Sequence, residues 1–225
     1  MLKELSYFLA HPRLNDLPIS LSLNKSILLI FKMIILYFGL AILTSLLFIP
    51  ILKLLNLLPD TGLSLSKIPL SFKLIFFVPI YEEVIFRLPL KFSKQNLFLS
   101  LAALHFMLFY HSYSIIILSA ISLIIASIPY FRLVPVEVYS KMGLIWNKFF
   151  PLLYYGLAIS FGLIHMTNFP NLRMIHYLLF PLIVSNQIIM GLMFGYVRVT
   201  YKNGFFYSVL LHFFINLPLI WLTHL

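Results

Sequence analysis

The sequence predicts an all-α membrane protein, a polytopic bundle of about seven transmembrane helices (between six and eight). Of the 225 residues, 62% are hydrophobic and 10% are charged, whereas a soluble domain has about a quarter of its residues charged. The apolar residues also occur in blocks of about twenty, the length at which a helix crosses a bilayer. Because these blocks lack the polar–apolar alternation of barrel strands, helix is the expected spanning form.

Seven apolar blocks are candidates for spans. They cover residues 27–50, 69–90, 96–111, 113–131, 149–168, 174–196 and 204–223. The third block is short and nearly joined to the fourth, so the two form either a helical hairpin or one span with a re-entrant segment. Polar or turn-forming residues mark loops at 59–62, 91–95, 136–146 and 201–204. No repeat or composition shift divides the chain, and we predict one membrane-embedded domain over residues 1–225.

The charge distribution indicates how such a chain is oriented. The net charge is +10, with 16 Lys and Arg against six Asp and Glu. The basic residues lie between apolar blocks, which favours lipid headgroups rather than nucleic acid as their partners. In the seven-span layout, ten basic residues fall on the N-terminal side and four on the other. The positive-inside rule then predicts a cytoplasmic N-terminus. We expect no signal peptide, because the first 25 residues are mixed and polar.

The first polar cluster inside an apolar block is the run YEEVIFR at 81–87. On a helix, Glu83 and Arg87 are four residues apart, in the favourable order for an ion pair. Glu82 then points about 100° away and is a candidate general base, since an unpaired carboxylate in a dry site holds its proton more strongly. The alternative is a structural salt bridge near a helix end. Ionisable residues inside spans are costly, which makes each a functional candidate.

Two further clusters lie in later apolar blocks. Phe161 and His165 are one turn apart in the fifth block, and His212 and Asn216 share a helix face in the seventh. Each of these two clusters also has a purely structural interpretation, because polar side chains form hydrogen bonds between membrane helices. The chain has no cysteine, which excludes a thiol nucleophile. It also lacks a Gly-x-Ser-x-Gly run, a His-Glu-x-x-His helix and an aspartate in any span.

Together the three clusters resemble the CAAX protease and bacteriocin-processing family, also called the abortive-infection or type II CAAX prenyl endopeptidase family. Its pattern is Glu-Glu-x-x-x-Arg, then Phe-x-x-x-His, then His-x-x-x-Asn or His-x-x-x-Asp, on separate membrane helices. The chain matches with Glu82-Glu83-x-x-x-Arg87, Phe161-x-x-x-His165 and His212-x-x-x-Asn216. The resemblance covers a core of about residues 74–224. The chain departs from a minimal version of the domain in the 77 residues between Arg87 and His165.

The resemblance implies an intramembrane endopeptidase that hydrolyses a peptide bond of a membrane-associated protein or peptide. It implies that Glu82 and His165 activate water, and that His212 and Asn216 stabilise the oxyanion. Glu83 with Arg87 would position the first helix, and Phe161 would pack. The family has been described both as metalloproteases and as metal-independent glutamate proteases. These Glu and His residues are possible zinc ligands, but their spacing is not that of a His₂Glu site. We therefore favour no metal and no cofactor.

Two other functions remain open on the sequence. The first is a non-catalytic immunity or scaffold protein of the same fold. The second is a proton- or cation-coupled transporter, since Glu and His in spans also serve as transport relays. The absence of a detectable repeat weighs against a transporter. The resemblance implies prenylated substrates for some relatives, but nothing in this sequence indicates a prenylated substrate.

Overall fold

The structure is a computed structural model that describes residues 1–14, 17–59, 77–110, 112–129 and 134–222. In these residues the regular secondary structure is helical, which confirms the predicted all-α class. The α-helices are α1 Leu2–Ala10, α2 Leu23–Leu54, α3 Val78–Phe86, α4 Lys94–Phe109, α5 Ile115–Ser127, α6 Val136–Lys148, α7 Phe150–Ile164, α8 Met174–Leu178, α9 Phe180–Ile183, α10 Ser185–Thr200 and α11 Gly204–Leu222. Short 3₁₀ helices cover Leu88–Leu90 and His165–Asn168.

Two helices of the described chain are long and apolar enough to cross a bilayer. They are α2, with 32 residues, and the 19-residue stretch Phe150–Asn168 formed by α7 and the 3₁₀ turn after it. Helix α5 and the Gly204–Pro218 part of α11 are apolar but shorter. These helices indicate a membrane-associated chain, while the count of about seven spans stays a prediction. Residues 60–62 of the first predicted loop, 69–76 of the second predicted span, 111 of the third, 130–131 of the fourth and 223 of the seventh lie outside the described residues.

Helix α2 has the surface expected of a helix in lipid. Only a narrow stripe of α2 faces the bundle. This stripe includes Leu29, Met33 and Tyr37. Large apolar side chains elsewhere on the helix are exposed, as Leu46 is at 71%. An apolar surface of this extent is unusual for a soluble monomer.

Two predictions about the chain path are wrong. The stretch 136–146 is not a polar loop but most of helix α6, whose face with Tyr139 and Trp146 packs on the protein. The stretch 174–196 is not one continuous helix, because it breaks at Leu179 and Val184 into α8, α9 and α10. Pro181 lies in the first turn of α9, where its ring prevents continuation of the preceding helix.

The N-terminal segment closes one end of the bundle. Helix α1 buries Leu5 and Phe8, and the Phe8 ring meets the rings of Tyr154 and Tyr196 edge-on, each at 5.2 Å between centroids. Farther along, Ile19 forms a single parallel β-bridge with Tyr201. The backbone N–H of Ile19 donates to Thr200 at 2.9 Å, and the N–H of Lys202 donates to Ile19 at 2.9 Å. The N-terminal segment is thereby fixed to the turn between α10 and α11.

Helices α7 and α10 approach closely because glycines face the contact. A Cβ built on Gly191 would lie 3.0 Å from the Cα of Ala158, and one on Gly195 would lie 2.7 Å from the Tyr154 ring. The Gly-x-x-x-Gly spacing on α10 therefore serves helix–helix packing, as small residues do in membranes. This contact sets the position of Phe161, one turn after Ala158 on α7.

Helices α3 and α11 complete the frame of the site. The Ser100 hydroxyl of α4 donates to the carbonyl of Ile85 at 2.7 Å, and the Tyr81 hydroxyl donates to the carbonyl of Ala103. On the other side, Ser26 of α2 and Tyr207 of α11 share a hydrogen bond of 2.7 Å. Side chains from α3, α7, α10 and α11 consequently meet in one buried region.

Candidate functional site

The short helix α3 carries both glutamates. Pro79 occupies its first turn, where the missing N–H costs no hydrogen bond. The helix ends at Phe86, and the N–H of Arg87 donates to the carbonyl of Glu83 at 2.8 Å. Glu83 is fully buried, with 0% of its side chain exposed, and Glu82 is 18% exposed. Of the two carboxylates, Glu82 is the one that a small molecule can reach.

The predicted pairing of Glu83 with Arg87 is present. Oε2 of Glu83 lies 3.4 Å from Nε of Arg87, and the Arg87 side chain is 1% exposed. The pair has the i, i+4 geometry expected on a helix. The guanidinium carbon lies 4.5 Å from the Phe161 ring centroid and 5.7 Å from that of Phe194. Arg87 is thus held by a carboxylate and two aromatic faces, in an environment where an unpaired charge would be costly.

His212 of α11 lies between the two glutamates. Its Nδ1 is 3.1 Å from Oε1 of Glu83, and its Nε2 is 3.4 Å from Oε2 of Glu82. The imidazole is 2% exposed. Carboxylate oxygens only accept hydrogen bonds, so in the 3.1 Å contact with Glu83 the Nδ1 of His212 is the donor.

His165 contacts this cluster through an aromatic ring. The Phe161 ring lies 4.8 Å from the His165 ring and 5.8 Å from the His212 ring, between centroids. The His165 Nδ1 is 2.7 Å from the carbonyl of Phe161. Because a carbonyl only accepts, Nδ1 is the donor, which leaves Nε2 of the neutral ring with its lone pair. His165 is half-buried at the start of the 3₁₀ turn after α7.

The structure brings some of the predicted site residues together and leaves others apart. Glu82 faces His212, and within the described chain no ion pair joins it to His165. Asn216 is half-buried one turn beyond His212, and its side chain makes no hydrogen bond to another described residue. Phe161 is fully buried and packs against Arg87, His165 and His212.

Sequence reasoning missed Arg198 of α10. This buried residue donates from Nε to the carbonyl of Arg87 at 3.1 Å. A cation at the carboxyl end of a helix offsets the partial negative charge of the exposed carbonyls there. Arg198 therefore stabilises the end of α3 that carries the Glu83–Arg87 pair. The only sequence signal was a basic residue at the end of an apolar block, which is typical of topology signals as well.

The charged groups of the cluster face one another. Among the described residues, no group of three or more His, Asp and Glu side chains is arranged to hold a metal ion. Both ring nitrogens of His212 face carboxylates, and Glu83 is shared with a guanidinium. A zinc ligand needs a free lone pair aimed at the ion, and the Nδ1 of His212, which donates to Glu83, has none to offer.

An apolar groove runs beside the site on the outer face of α3 and α4. It has a volume of about 660 Å³ and includes Val78, Tyr81, Val84, Phe106 and Met107 in its lining. This size is within the range of ligand sites. Tyr81 is the residue directly before Glu82, so the groove and the accessible carboxylate lie on adjoining parts of one helix.

Comparison with known proteins gives no match: no family model, no curated protein and no solved structure matches the chain.

Proposed function

We propose that the chain is a multi-pass intramembrane endopeptidase, with its N-terminus in the cytoplasm, that cleaves a membrane-associated protein or peptide. One observation carries the proposal. Glu82 is a partly exposed carboxylate in contact with a buried histidine, and the neighbouring Glu83 is committed to structural pairing. The resemblance of the three motifs to the CAAX protease and bacteriocin-processing family supports the same conclusion.

The reaction follows from these groups. Glu82 accepts a proton from water, and the water oxygen bonds to the carbonyl carbon of the substrate. The resulting tetrahedral anion collapses with cleavage of the C–N bond, and Glu82 returns the proton to the departing amine. The low-dielectric surroundings of Phe161 and Phe194 strengthen each charge interaction at the reacting centre.

The two histidines take different parts in this mechanism. His212 holds the Glu82 carboxylate in position through Nε2 and is itself held by Glu83 through Nδ1. His165 presents Nε2 with a free lone pair and assists in accepting the proton of water. Asn216, whose amide makes no bond to another described residue, donates to the oxyanion. Assigning His212 to positioning differs from the role that the sequence resemblance implies for it.

The proposal is tested by comparing protein termini in cells. Membranes are prepared from cells that express equal amounts of the wild-type chain or of Glu82→Gln, and new peptide termini are profiled by mass spectrometry. We expect a set of cleavage products that depends on Glu82. The matched control is Glu137→Gln, which removes an exposed carboxylate outside the site. Identical profiles for wild type and Glu82→Gln would end the proposal.

A non-catalytic immunity or scaffold protein is the second candidate. The observation that favours it is the pairing of both ring nitrogens of His212 with carboxylates, because a closed ion-pair network is also a means of fixing membrane helices. If the chain is a non-catalytic protein of this kind, the Glu82→Gln and His165→Ala proteins retain full protective or partner-binding activity. Loss of activity in both variants, with normal expression and folding, favours the peptidase.

A further inference from the structure

Helix α6 lies beside the end of a candidate membrane span. It ends at Lys148, and α7 begins at Phe150. The first residues of a helix that crosses a bilayer are near the headgroups, and a helix joined to it by one residue is held at the same depth. The connectivity therefore places α6 at the bilayer surface.

One face of α6 is fixed to the protein. The Trp146 indole N–H donates to the carbonyl of Pro89 at 2.8 Å. The Lys94 ammonium lies 4.1 Å from the Tyr139 ring centroid. A Cβ built on Gly143 would lie 3.3 Å from the Phe92 ring. These contacts seat α6 on the turn between α3 and α4, so it is not a loosely attached segment.

The opposite side of α6 is exposed and carries both apolar and basic residues. Val138 and Ile145 are seven residues apart and 43% and 56% exposed, so they lie on one flank of the helix. Lys141 and Lys148 are also seven residues apart and are exposed on the neighbouring flank. The one acidic residue of this helix is Glu137. An apolar flank beside a basic one is typical of helices that lie in a membrane interface.

We infer that α6 is a docking surface for anionic phospholipid headgroups. Val138 and Ile145 enter the acyl-chain boundary, and Lys141 and Lys148 bind the phosphate groups of the same leaflet. The charge of the two lysines is complementary to such lipids and not to zwitterionic ones. The inference requires that α7 crosses the membrane, and it does not depend on the catalytic proposal.

The depth of α6 is measured with nitroxide labels. Because the chain has no cysteine, Ile145→Cys gives a single labelling site in the full-length protein. The protein is reconstituted in vesicles of phosphatidylcholine and phosphatidylglycerol. We expect the label to collide more often with oxygen than with a water-soluble nickel chelate. Glu137→Cys, at an exposed acidic position one turn before Lys141, is the control and should show the reverse. A water-exposed label at position 145 would overturn the inference.

Headgroup preference is measured on the same protein with a fluorophore at position 145. Quenching by brominated phosphatidylglycerol is compared with quenching by brominated phosphatidylcholine. We expect a preference of roughly fivefold per lysine for the anionic lipid, reduced to near equality in Lys141→Gln/Lys148→Gln. The double Lys→Arg variant should keep the preference, as should Lys53→Gln at the far end of α2. A preference unaffected by removal of both lysines, or no preference in the wild type, would overturn the inference.

Discussion

The Nδ1 of His212 lies 3.1 Å from the Oε1 of Glu83, although 129 positions separate the two residues in the chain. Both side chains are almost completely buried. This contact joins α11 to α3, and Arg87 binds the other oxygen of the same carboxylate. Glu83 is therefore the common partner of Arg87 and His212, and its loss has consequences for both.

Replacement of Glu83 by Gln should destabilise the protein strongly. The change leaves the buried Arg87 guanidinium without its counter-charge, and breaking one side of a buried ion pair costs about 3–5 kcal/mol. We expect a lower midpoint of thermal unfolding in detergent. Glu137→Gln is the control, because Glu137 is exposed. Equal midpoints for wild type and Glu83→Gln would show that the pair contributes little.

Removal of both charges of the pair should be tolerated better than removal of either one. In Glu83→Gln/Arg87→Met neither an unpaired carboxylate nor an unpaired guanidinium remains buried, so the double variant avoids the uncompensated charge that each single variant leaves. A double-mutant cycle on unfolding midpoints measures the coupling. Additive losses in the double variant would contradict the ion-pair interpretation.

Gly204→Ala should be more harmful than Gly156→Ala. A Cβ at position 204 would lie 2.3 Å from the carbonyl oxygen of Val197, whereas nothing lies within 4 Å of one at position 156. The atom next to Gly204 belongs to the backbone and cannot move away as a side chain can. We therefore expect the free energy of unfolding to fall by about 1–3 kcal/mol. Gly156→Ala should be neutral or slightly stabilising, because alanine favours helix more than glycine does. Unfolding midpoints in detergent decide between these outcomes.

Lys91 should react with amine reagents at unusually low pH. Partial burial, with Arg198 nearby, lowers the pKa of Lys91 from 10.5 to about 8. Its ammonium donates to the carbonyl of Tyr201 at 3.2 Å. Acetylation of Lys91, followed by mass spectrometry between pH 7 and 11, should show a midpoint near 8. The denatured chain is the control, and the same midpoint there would contradict the burial effect.

The lowered pKa of Lys91 also determines whether its contribution to stability rises or falls with pH. Between pH 8 and 10.5 the unfolded chain binds more protons at Lys91 than the folded chain does. The contribution of Lys91 to the free energy of unfolding therefore rises with pH across this window. Lys91→Met should flatten the rise, which denaturant titrations at several pH values measure.

The sequence predicted contacts within one helix better than contacts between helices. The Glu83–Arg87 pair follows from spacing alone, and the structure contains it. The position of Glu82 against His212 depends on how α3 and α11 pack, and helical periodicity carries no such information. For the same reason, the hydrogen bond from Arg198 to the Arg87 carbonyl was missed.

The predicted helix boundaries were wrong where the polarity of a segment does not reflect its packing or its prolines. Helix α6 has enough polar residues to resemble a loop, but Tyr139 and Trp146 find partners on the α3–α4 turn. Conversely, residues 174–196 are apolar throughout most of their length, yet Pro181 interrupts them. Hydropathy predicts which segments avoid water, and it does not report where the backbone hydrogen bonds of a helix stop.

The β-bridge between Ile19 and Tyr201 has a consequence for biosynthesis. The segment with Ile19 leaves the ribosome before its partners on the turn after α10, which are 182 residues later in the chain. At about 5–20 residues per second, roughly 10–40 seconds pass before they can meet. During that interval Leu5 and Phe8 have no α10 on which to pack. Helix α1 is made well before the surface of α10 that covers it, and until α10 arrives its buried side chains stay uncovered in the nascent chain.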